Sequence, residues 1–281
     1  MYLELNGNTV TLDEANGYLV RQFGIGYPRP RQVVDDRPNA DGTDDRTEYF
    51  GAKVVSLDVT MQGNKWDKID ELGPFLIPSA RPYLYYDDAT QPRRIRLRPM
   101  DRQLSVVAPT SSQQVMLQWA APDGVSETAT QSVATVLASA EADAGFTFDL
   151  SFNIVFPSTS PVGTTVVTTV GNAKCYPVIQ LWGPCTNPRI ENIDDLDDDG
   201  NAKELAFSIT LASDEYLEVD IRDRTVLFNG PSSSNVPRYN TLDFATAQWW
   251  TLQAGQNRIR YFPQSYSGAA RAVLSYRCTF I

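Results

Sequence analysis

Apolar and polar residues alternate with a period of two along most of the chain, which is the pattern of a β-strand with one buried face. In residues 51–63, the apolar side chains occupy every second position from Val55 to Met61. Residues 146–156, FTFDLSFNIVF, place six apolar side chains on one face. The same alternation predicts further strands over residues 2–5, 10–12, 81–86, 93–98, 113–121, 205–211, 217–221 and 270–280.

Residues 64–72 carry the clearest helix signal. Asn64 can cap a helix, and apolar residues then recur every three positions from Trp66 to Leu72. We expect Pro74 and Pro78 to close this helix. The other predicted elements are strands about 8–12 residues apart, separated by turns rich in Gly, Pro and Asp. The sequence therefore predicts an all-β protein built from antiparallel β-sandwiches, barrels or jelly rolls, with one short helix.

Two stretches interrupt the strand pattern. Residues 29–47 are polar and rich in aspartate, and we interpret them as an excursion on the surface. Residues 125–145 are rich in Ser, Thr and Ala and contain no aromatic residue, which is typical of a linker. We therefore predict an N-terminal domain over residues 1–128, a linker over 129–145 and a C-terminal sandwich domain over 146–281.

The charge balance excludes several classes of function. The chain has 24 Lys and Arg against 34 Asp and Glu, a net charge of −10, so that it repels phosphate backbones and nucleic acid is not an expected partner. It contains no histidine, which excludes Ser-His-Asp catalysis and His-ligated zinc. Pairs of carboxylates such as Asp214 with Glu215 remain, but nothing in the sequence places them in a cleft. We expect no enzymatic activity, and no catalytic, cofactor-binding or metal-binding residue.

Cysteine use and hydropathy bear on the compartment. The three cysteines, Cys175, Cys185 and Cys278, are expected to be buried, reduced thiols. No apolar run is long enough to span a membrane. The start of the chain, MYLELNGNTV, lacks the pattern of a signal peptide, so we expect a protein that is not exported on its own.

An acidic segment over residues 194–201 resembles the start of a calcium-binding loop. Asp195, Asp197, Asp199 and Gly200 match the D-x-D-x-D-G opening. The twelfth position, which should hold glutamate, is Ala206. We favour a solvated acidic turn between two strands, and a calcium-binding loop is the alternative.

Three arginines follow each other at alternate positions. If residues 93–98 form one strand, Arg94, Arg96 and Arg98 share a face and require partners for their charges. We favour an ion-paired contact with another protein surface, because guanidinium groups form planar bidentate pairs with carboxylates. A nucleic-acid ridge and simple solvation are the alternatives.

Trp249 and Trp250 are adjacent and should point to opposite sides of an extended chain. One tryptophan is then in the core, and the other is available for packing, for a contact between subunits or for stacking on a sugar.

The C-terminal half carries a pattern of motifs that resembles the distal tail protein (Dit) family of long-tailed phages. The pattern runs from an apolar strand through Gly and Asn-Pro-x-Ile-x-Asn, then a strand pair ending in Asn-Gly, then Leu-x-x-Gly-x-Asn before another strand. The matching residues are Gly183, Asn187, Pro188, Ile190, Asn192, Asn229, Gly230, Leu252, Gly255 and Asn257. The N-terminal half resembles the belt domain of the same family more loosely.

This resemblance implies a structural virion protein with no cofactor. Members of the family form a hexameric ring at the tip of the tail tube, with N-terminal belt domains around a channel and galectin-like C-terminal sandwiches outside. The implied partners are the other subunits, the tail tube protein, the tail-tip or tail-associated lysin protein, and receptor-binding proteins. The implied location is the tail tip of a virion assembled in the host cytoplasm. The alternatives are a free-standing, lectin-like carbohydrate-binding module and a capsid or decoration jelly roll.

Overall fold

The protein is described here by a computed structural model, which covers residues 1–28, 30–31, 34–36, 43–45, 49–88, 90–105, 112–139 and 164–281. The chain divides into two compact units. Unit 1 comprises Met1–Thr130 together with Thr279–Ile281, and unit 2 comprises Gln131–Cys278. The strand predicted over residues 146–156 lies outside the described residues. Among the described residues, no helix is long and apolar enough to cross a membrane.

Unit 1 is built from antiparallel strands and one helix. Its strands are β1 (Tyr2–Leu5), β2 (Asn8–Thr11), β3 (Tyr18–Ile25), β4 (Pro30–Arg31), β5 (Val34–Asp36), β6 (Thr43–Asp45), β7 (Tyr49–Phe50), β8 (Lys53–Gln62), β9 (Tyr83–Asp87), β10 (Pro92–Arg96), β11 (Arg98–Ser105), β12 (Ser112–Ala121), β13 (Ser126–Thr128) and β27 (Thr279–Phe280). One sheet has the order β2-β1-β9-β10-β13-β27, and a second has the order β11-β12-β8-β3. The described parts of residues 29–47 contribute short strands to two small ladders, β4 with β7 and β5 with β6.

The core of unit 1 follows the predicted alternation. In β8, the side chains of Val55, Leu57, Val59 and Met61 are all buried. The intervening Ser56 and Asp58 are more exposed, whereas Thr60 is also buried. Across the ladder, Trp119 of β12 is also completely buried. The same core includes apolar residues of the six-stranded sheet, so that alternation in sequence becomes one buried face in each sheet.

Helix α1 spans Lys65–Leu76 and is longer than predicted. As expected, Asn64 caps it, with its Oδ1 accepting a hydrogen bond of 3.3 Å from the Trp66 N–H. The prediction that Pro74 and Pro78 close the helix is wrong for Pro74, which lies inside the last turn, whereas Pro78 directly follows the C-cap residue Ile77. A proline in the last turn removes a single hydrogen bond near the end, while Phe75 beside it is buried in the core. Trp66 is 65% exposed and does not belong to the buried face.

Unit 2 is all-β apart from a 3₁₀ turn at Tyr239–Thr241. Its strands are β14 (Ser132–Leu137), β15 (Thr164–Thr169), β16 (Val178–Trp182), β17 (Cys185–Thr186), β18 (Arg189–Leu196), β19 (Ala202–Ala206), β20 (Thr210–Leu211), β21 (Tyr216–Asp220), β22 (Thr225–Gly230), β23 (Ser233–Pro237), β24 (Gly255–Tyr261), β25 (Ser265–Tyr266) and β26 (Arg271–Tyr276). They form antiparallel sheets of the orders β14-β26-β16-β21-β22-β23, β15-β24-β18-β19 and β20-β17-β25. The all-β prediction is confirmed.

The core of unit 2 is rich in aromatic residues. Trp250, Phe207, Tyr261 and Phe262 are among the largest buried side chains. The three cysteines are all buried and free, as predicted. Burial raises the pKa of the Cys185 thiol, which keeps it protonated at neutral pH.

Three elements of unit 2 differ from their predictions. Residues 132–137, inside the predicted linker, form the strand β14 beside β26. The strand predicted over residues 205–211 is broken at Phe207, whose N–H donates to the Pro188 carbonyl at 3.0 Å. The strand predicted over residues 270–280 is divided, with β26 in unit 2 and β27 in unit 1.

We predict that unit 2 folds by itself, because each of its large sheets contributes buried side chains to its own core. The fragment 131–278, expressed alone, should give a β-rich circular dichroism spectrum and a single cooperative melting transition. The same transition should be present in the melting curve of the whole chain. A fragment that shows no cooperative transition would contradict the division into two domains.

Candidate functional site

The segment from Gly183 to Asn187 shows why the family motif requires its residue types. A side-chain Cβ on Gly183 would lie 2.1 Å from the Ala212 carbonyl oxygen, so only glycine fits. Asn187 adopts a left-handed backbone conformation with φ of 47°, and its N–H donates to the Ile209 carbonyl at 2.8 Å. Asparagine tolerates this conformation better than most residues. The two motif positions therefore set the path of the chain into β18.

The final asparagines of the motif segments Asn-Pro-x-Ile-x-Asn and Leu-x-x-Gly-x-Asn meet inside unit 2. Asn192 and Asn257 are both completely buried, and the Asn192 amide donates to Asn257 Oδ1 at 3.2 Å and to the Thr251 carbonyl at 2.9 Å. Asn257 Oδ1 also accepts from the Gln253 N–H at 2.7 Å, and its amide donates to the Gln253 and Gly255 carbonyls. These asparagines are structural residues that satisfy a turn, and none of them is placed to react.

The carboxylates of the acidic segment take part in hydrogen bonds within unit 2. Asp195 is largely buried and accepts from Lys203 Nζ at 2.8 Å and from the Thr251 N–H at 2.8 Å. Asp197 instead closes its own turn, accepting from the N–H groups of Asp199 and Asn201. Among the described residues, no group of three or more Asp, Glu, Cys or His side chains is arranged to hold a metal ion.

The pKa of Asp195 reflects these contacts. Burial alone would raise the pKa of this carboxyl, but the hydrogen bonds from Lys203 and from the Thr251 N–H hold it below its ordinary value. The folded protein therefore stabilises the ionised form of Asp195.

The three arginines do not share a face, which corrects the sequence prediction. Arg94 and Arg96 lie in β10, whereas Arg98 begins β11 in the other sheet of unit 1. Leu97, between the two strands, is completely buried, and its N–H donates to the Pro82 carbonyl. The chain thus passes from one sheet to the other at Leu97, and a strict alternation of faces ends there.

Arg94 finds its partner within its own unit. Its guanidinium pairs with Glu127 of β13 at 2.8 Å and lies over the Tyr83 ring at 4.3 Å. Burial would lower the pKa of Arg94, but its bonds to Tyr85 and Glu127 raise it. Neighbouring Arg93 pairs in the same way with a carboxylate of unit 1, that of Asp88, at 2.7 Å. The sequence predicts that Arg94 pairs with another protein surface, but its ion pair is made within its own chain.

The tryptophan pair is divided between core and surface, as predicted, although it lies outside any strand. Trp250 is completely buried. Trp249 is half-exposed and lies nearly parallel to the Tyr239 ring, with centroids 6.4 Å apart. Phe244, 65% exposed, packs at a tilt against the Tyr239 ring, with centroids 5.5 Å apart. Together, Tyr239, Phe244 and Trp249 form a small aromatic cluster on the surface of unit 2.

The carboxylate pairs are occupied by local hydrogen bonds. Glu215 accepts from the Ala212 N–H at 2.8 Å, and Glu218 accepts from the Gln180 amide at 3.2 Å. Asp220 accepts from the N–H groups of Arg222 and Asp223, which closes a turn. These roles are structural.

Unit 2 carries a groove with a volume of about 850 Å³ that no pattern in the sequence indicated. We call it the unit 2 groove. It is lined by Asn187, Arg189, Glu204, Ala206, Phe207, Ser208, Asp243, Thr246, Phe262, Pro263, Gln264, Ser265 and Tyr266. These residues come from segments far apart in the chain, and most of them are polar without a regular spacing. Only the fold brings them together.

Comparisons with known proteins agree with the motif pattern. Residues 170–280 match the family model described as siphovirus-type tail component, C-terminal domain. No curated protein matches the sequence. These residues include all ten motif positions named above.

Solved structures match over the whole chain. The Dit protein of phage SPP1, described as a paradigm of hub adsorption apparatus in phages that infect Gram-positive bacteria, has a TM-score of 0.62 at 13% identity, covering 100% of this chain and 99% of that one. A structure of the phage P2 baseplate in its activated conformation with Ca has a TM-score of 0.54 at 9% identity, and the match covers 99% of this chain and 97% of that one. A structure of the same baseplate with Sr has a TM-score of 0.56 at 10% identity, and the match covers 98% of this chain and 96% of that one.

These matches show that the chain has the fold of the SPP1 Dit protein and that its C-terminal part resembles a siphovirus-type tail component. The resemblance to the distal tail protein family, inferred from the motifs, is confirmed by the family model and by the fold.

Arg94 should stabilise unit 1 from within. We predict that Arg94→Glu lowers the free energy of unfolding by about 2–4 kcal/mol, because two carboxylates then face each other in a partly buried position. The measurement is denaturant unfolding of the purified protein.

The matched control is Arg96→Glu in the same strand. Arg96 makes no ion pair with a described residue, so its reversal should change stability by about 0.5 kcal/mol or less. Equal effects of the two substitutions would contradict the role of the Arg94–Glu127 pair.

Asp195 should make stability depend on pH in the acid range. Its pKa is lower in the folded chain, so its contribution is fully present above the unfolded value of about 3.9 and is lost as the pH falls through the folded pKa. We predict that Asp195→Asn costs about 1–3 kcal/mol at pH 7 and much less near pH 3. Urea unfolding at both pH values measures this, with exposed Asp198→Asn as control. A cost for Asp195→Asn that is independent of pH would contradict the charge-based role.

Proposed function

We propose that this protein is a structural component of a phage tail tip: a distal tail protein that forms a hexameric ring at the end of the tail tube and connects the tube to the host-recognition apparatus. The observation that supports this most directly is the agreement of two independent matches on one chain. The C-terminal part fits a tail-component family, and the whole chain has the fold of a Dit hub protein.

The four-stranded sheet of unit 1 supports a role in ring formation. Its edges are β3 and β11, and neither edge is paired on its outer side with another described strand. Unpaired backbone N–H and C=O groups on an edge are able to pair with a strand of another subunit. The two edge strands are long enough for this, since β3 and β11 have eight residues each.

The outer face of this sheet carries many polar side chains, with Val54 and Met116 as exposed apolar residues among them. Ser56, Asp58 and Gln62 of β8 lie on the side opposite the core, and the Gln114 amide donates to both oxygens of Asp58, at 3.0 and 2.7 Å. A face of hydrogen-bonded, mostly uncharged side chains suits the wall of a water-filled channel. We therefore assign the lining of the ring to this face.

The proposed partners follow from this position. They are the other subunits of the ring, the tail tube protein above it, the tail-tip or tail-associated lysin protein below it, and receptor-binding proteins at its periphery. The protein would be located in the virion, after assembly in the host cytoplasm, and would act without enzymatic activity or cofactor. A free-standing carbohydrate-binding module, the alternative, would be a monomer with no affinity for the tail tube.

The ring is tested by native mass spectrometry and electron microscopy of the whole protein, alone and with the tail tube protein of the same phage. We expect rings, or assembly that occurs when the tube protein is present. A protein that stays monomeric and does not bind the tube protein would refute the proposal.

A matched pair of edge variants locates the interface. We expect Leu19→Lys, on the edge strand β3, to abolish assembly, because a lysine on an edge opposes strand pairing. Val133→Lys, on the edge strand β14 of unit 2, is the control and should leave assembly unchanged. Both residues are exposed in the subunit, so both variants should fold. Assembly of the Leu19→Lys variant would exclude this edge from the ring interface.

A further inference from the structure

The unit 2 groove has the properties of a binding site that the hub role does not use. Its volume of about 850 Å³ falls within the range of about 300–1,000 Å³ that is usual for small-ligand pockets. We propose that this groove binds a short, neutral oligosaccharide. The proposal goes beyond the role in the tail tip and does not depend on it.

The floor of the groove is held rigidly by backbone hydrogen bonds. Residues 187–189 run between two neighbouring segments, with the Phe207 N–H donating to the Pro188 carbonyl at 3.0 Å on one side. On the other side, the Phe262 N–H donates to the Arg189 carbonyl at 2.9 Å. A site built on extended, paired backbone keeps its shape without a ligand, which reduces the entropy lost on binding.

Hydrogen-bonding atoms are left available at the surface of the groove. The Asn187 amide donates to Gln264 Oε1 at 2.7 Å, and both side chains are accessible to solvent. This bond leaves Asn187 Oδ1 as an acceptor and Gln264 Nε2 as a donor, neither with a partner among the described residues. The exposed hydroxyl groups of Ser208 and Ser265 also line the groove. A sugar hydroxyl both donates and accepts, so neighbouring hydroxyls match such mixed groups.

The charges of the groove argue against an ionic ligand. Its one guanidinium, that of Arg189, is already bound to both carboxylate oxygens of Glu204, at 3.0 and 2.8 Å. The Asp243 carboxylate accepts from the Ala245 N–H and the Thr246 hydroxyl. An anionic ligand would meet two carboxylates and a neutralised arginine, whereas a cation would compete with bonds that these carboxylates already make.

An aromatic ring completes the site. Tyr266 lines the groove and is 41% exposed, so its ring is accessible to a ligand. The C–H face of a sugar ring packs on such an aromatic surface, while its hydroxyls reach the polar groups around it. An apolar peptide would instead leave the amide and hydroxyl groups of the groove without partners.

The probe is an array of immobilised oligosaccharides, neutral and charged, applied to the whole protein, followed by titration calorimetry with the best neutral binder. We expect Tyr266→Ala and Gln264→Ala each to reduce the affinity by about tenfold, which is the size of one aromatic or amide contact. Tyr266→Phe, which keeps the ring, should retain most of the affinity.

Two matched controls separate the groove from the rest of unit 2. Tyr176 is 40% exposed and Gln256 is exposed, and neither lines the groove. Tyr176→Ala and Gln256→Ala should leave binding unchanged, and all four Ala variants should keep the parental melting temperature within a few degrees.

Three results would overturn the proposal. They are no binding of any neutral oligosaccharide by the folded protein, binding only to charged glycans, and binding that the groove variants and the controls affect equally. The ring assays measure assembly and not sugar binding, so failure here leaves the hub proposal intact, and failure of ring formation leaves this site intact.

Discussion

The buried amide pair of Asn192 and Asn257 is the interaction on which the arrangement of unit 2 depends. It connects β18 to the turn before β24, and every donor and acceptor of both amides is used. A buried amide that loses its partner costs about 1–3 kcal/mol, so neither residue tolerates an apolar replacement of similar shape unless the other changes too. The two asparagine positions of the motif therefore correspond to one fully hydrogen-bonded polar network inside an otherwise apolar core.

The position of the groove follows from this network. Because Asn192 fixes β18 against the turn at Thr251, the residues that precede it in the same chain segment, from Asn187 to Arg189, are held in place as well. Asp195, later in β18, binds the same turn through the Thr251 N–H. The groove-lining residues 187–189 lie at one end of β18 and the acidic segment at the other, and both are held by the bonds of β18 to Thr251. A fully hydrogen-bonded network makes this segment rigid, and with it the polar groove that the segment lines.

Much of the fold could be predicted from alternation, because burial on one face of a sheet leaves a period of two in the sequence. The strands β8, β12 and β21 follow it closely. Alternation fails where the chain leaves one sheet for another, as at Leu97. The buried residue between the two strands fits the period of two, so the sequence pattern reads both strands as one. It also fails in β14, where Val133 and Leu137 point outward and the inward residues include Ser132 and Ala134.

The candidate site was much less predictable than the fold. Charged residues were the obvious candidates, yet the fold pairs them within the chain, Arg94 with Glu127 and Asp195 with Lys203. A sequence reveals that an arginine requires a carboxylate, but it does not reveal whether the carboxylate belongs to the same chain. The groove was missed for the opposite reason, since its serines, amides and tyrosine are ordinary surface residues until the fold places them together.

The internal pairing of charges also bears on how this protein would meet its partners. Arginines at the groove, along β24 and in β10 are each bound to a carboxylate of their own unit, as in Arg189–Glu204, Arg260–Glu191 and Arg94–Glu127. Using one of these arginines for a partner would first break a bond at 2.8 Å and leave a carboxylate unpaired. The net charge of −10 opposes close approach of like subunits. Contacts made by neutral groups, such as an unpaired strand edge or a row of amides and hydroxyls, avoid both costs. Because such contacts break no internal ion pair and bring no like charges together, we expect backbone pairing to drive assembly and neutral hydrogen bonds to drive recognition.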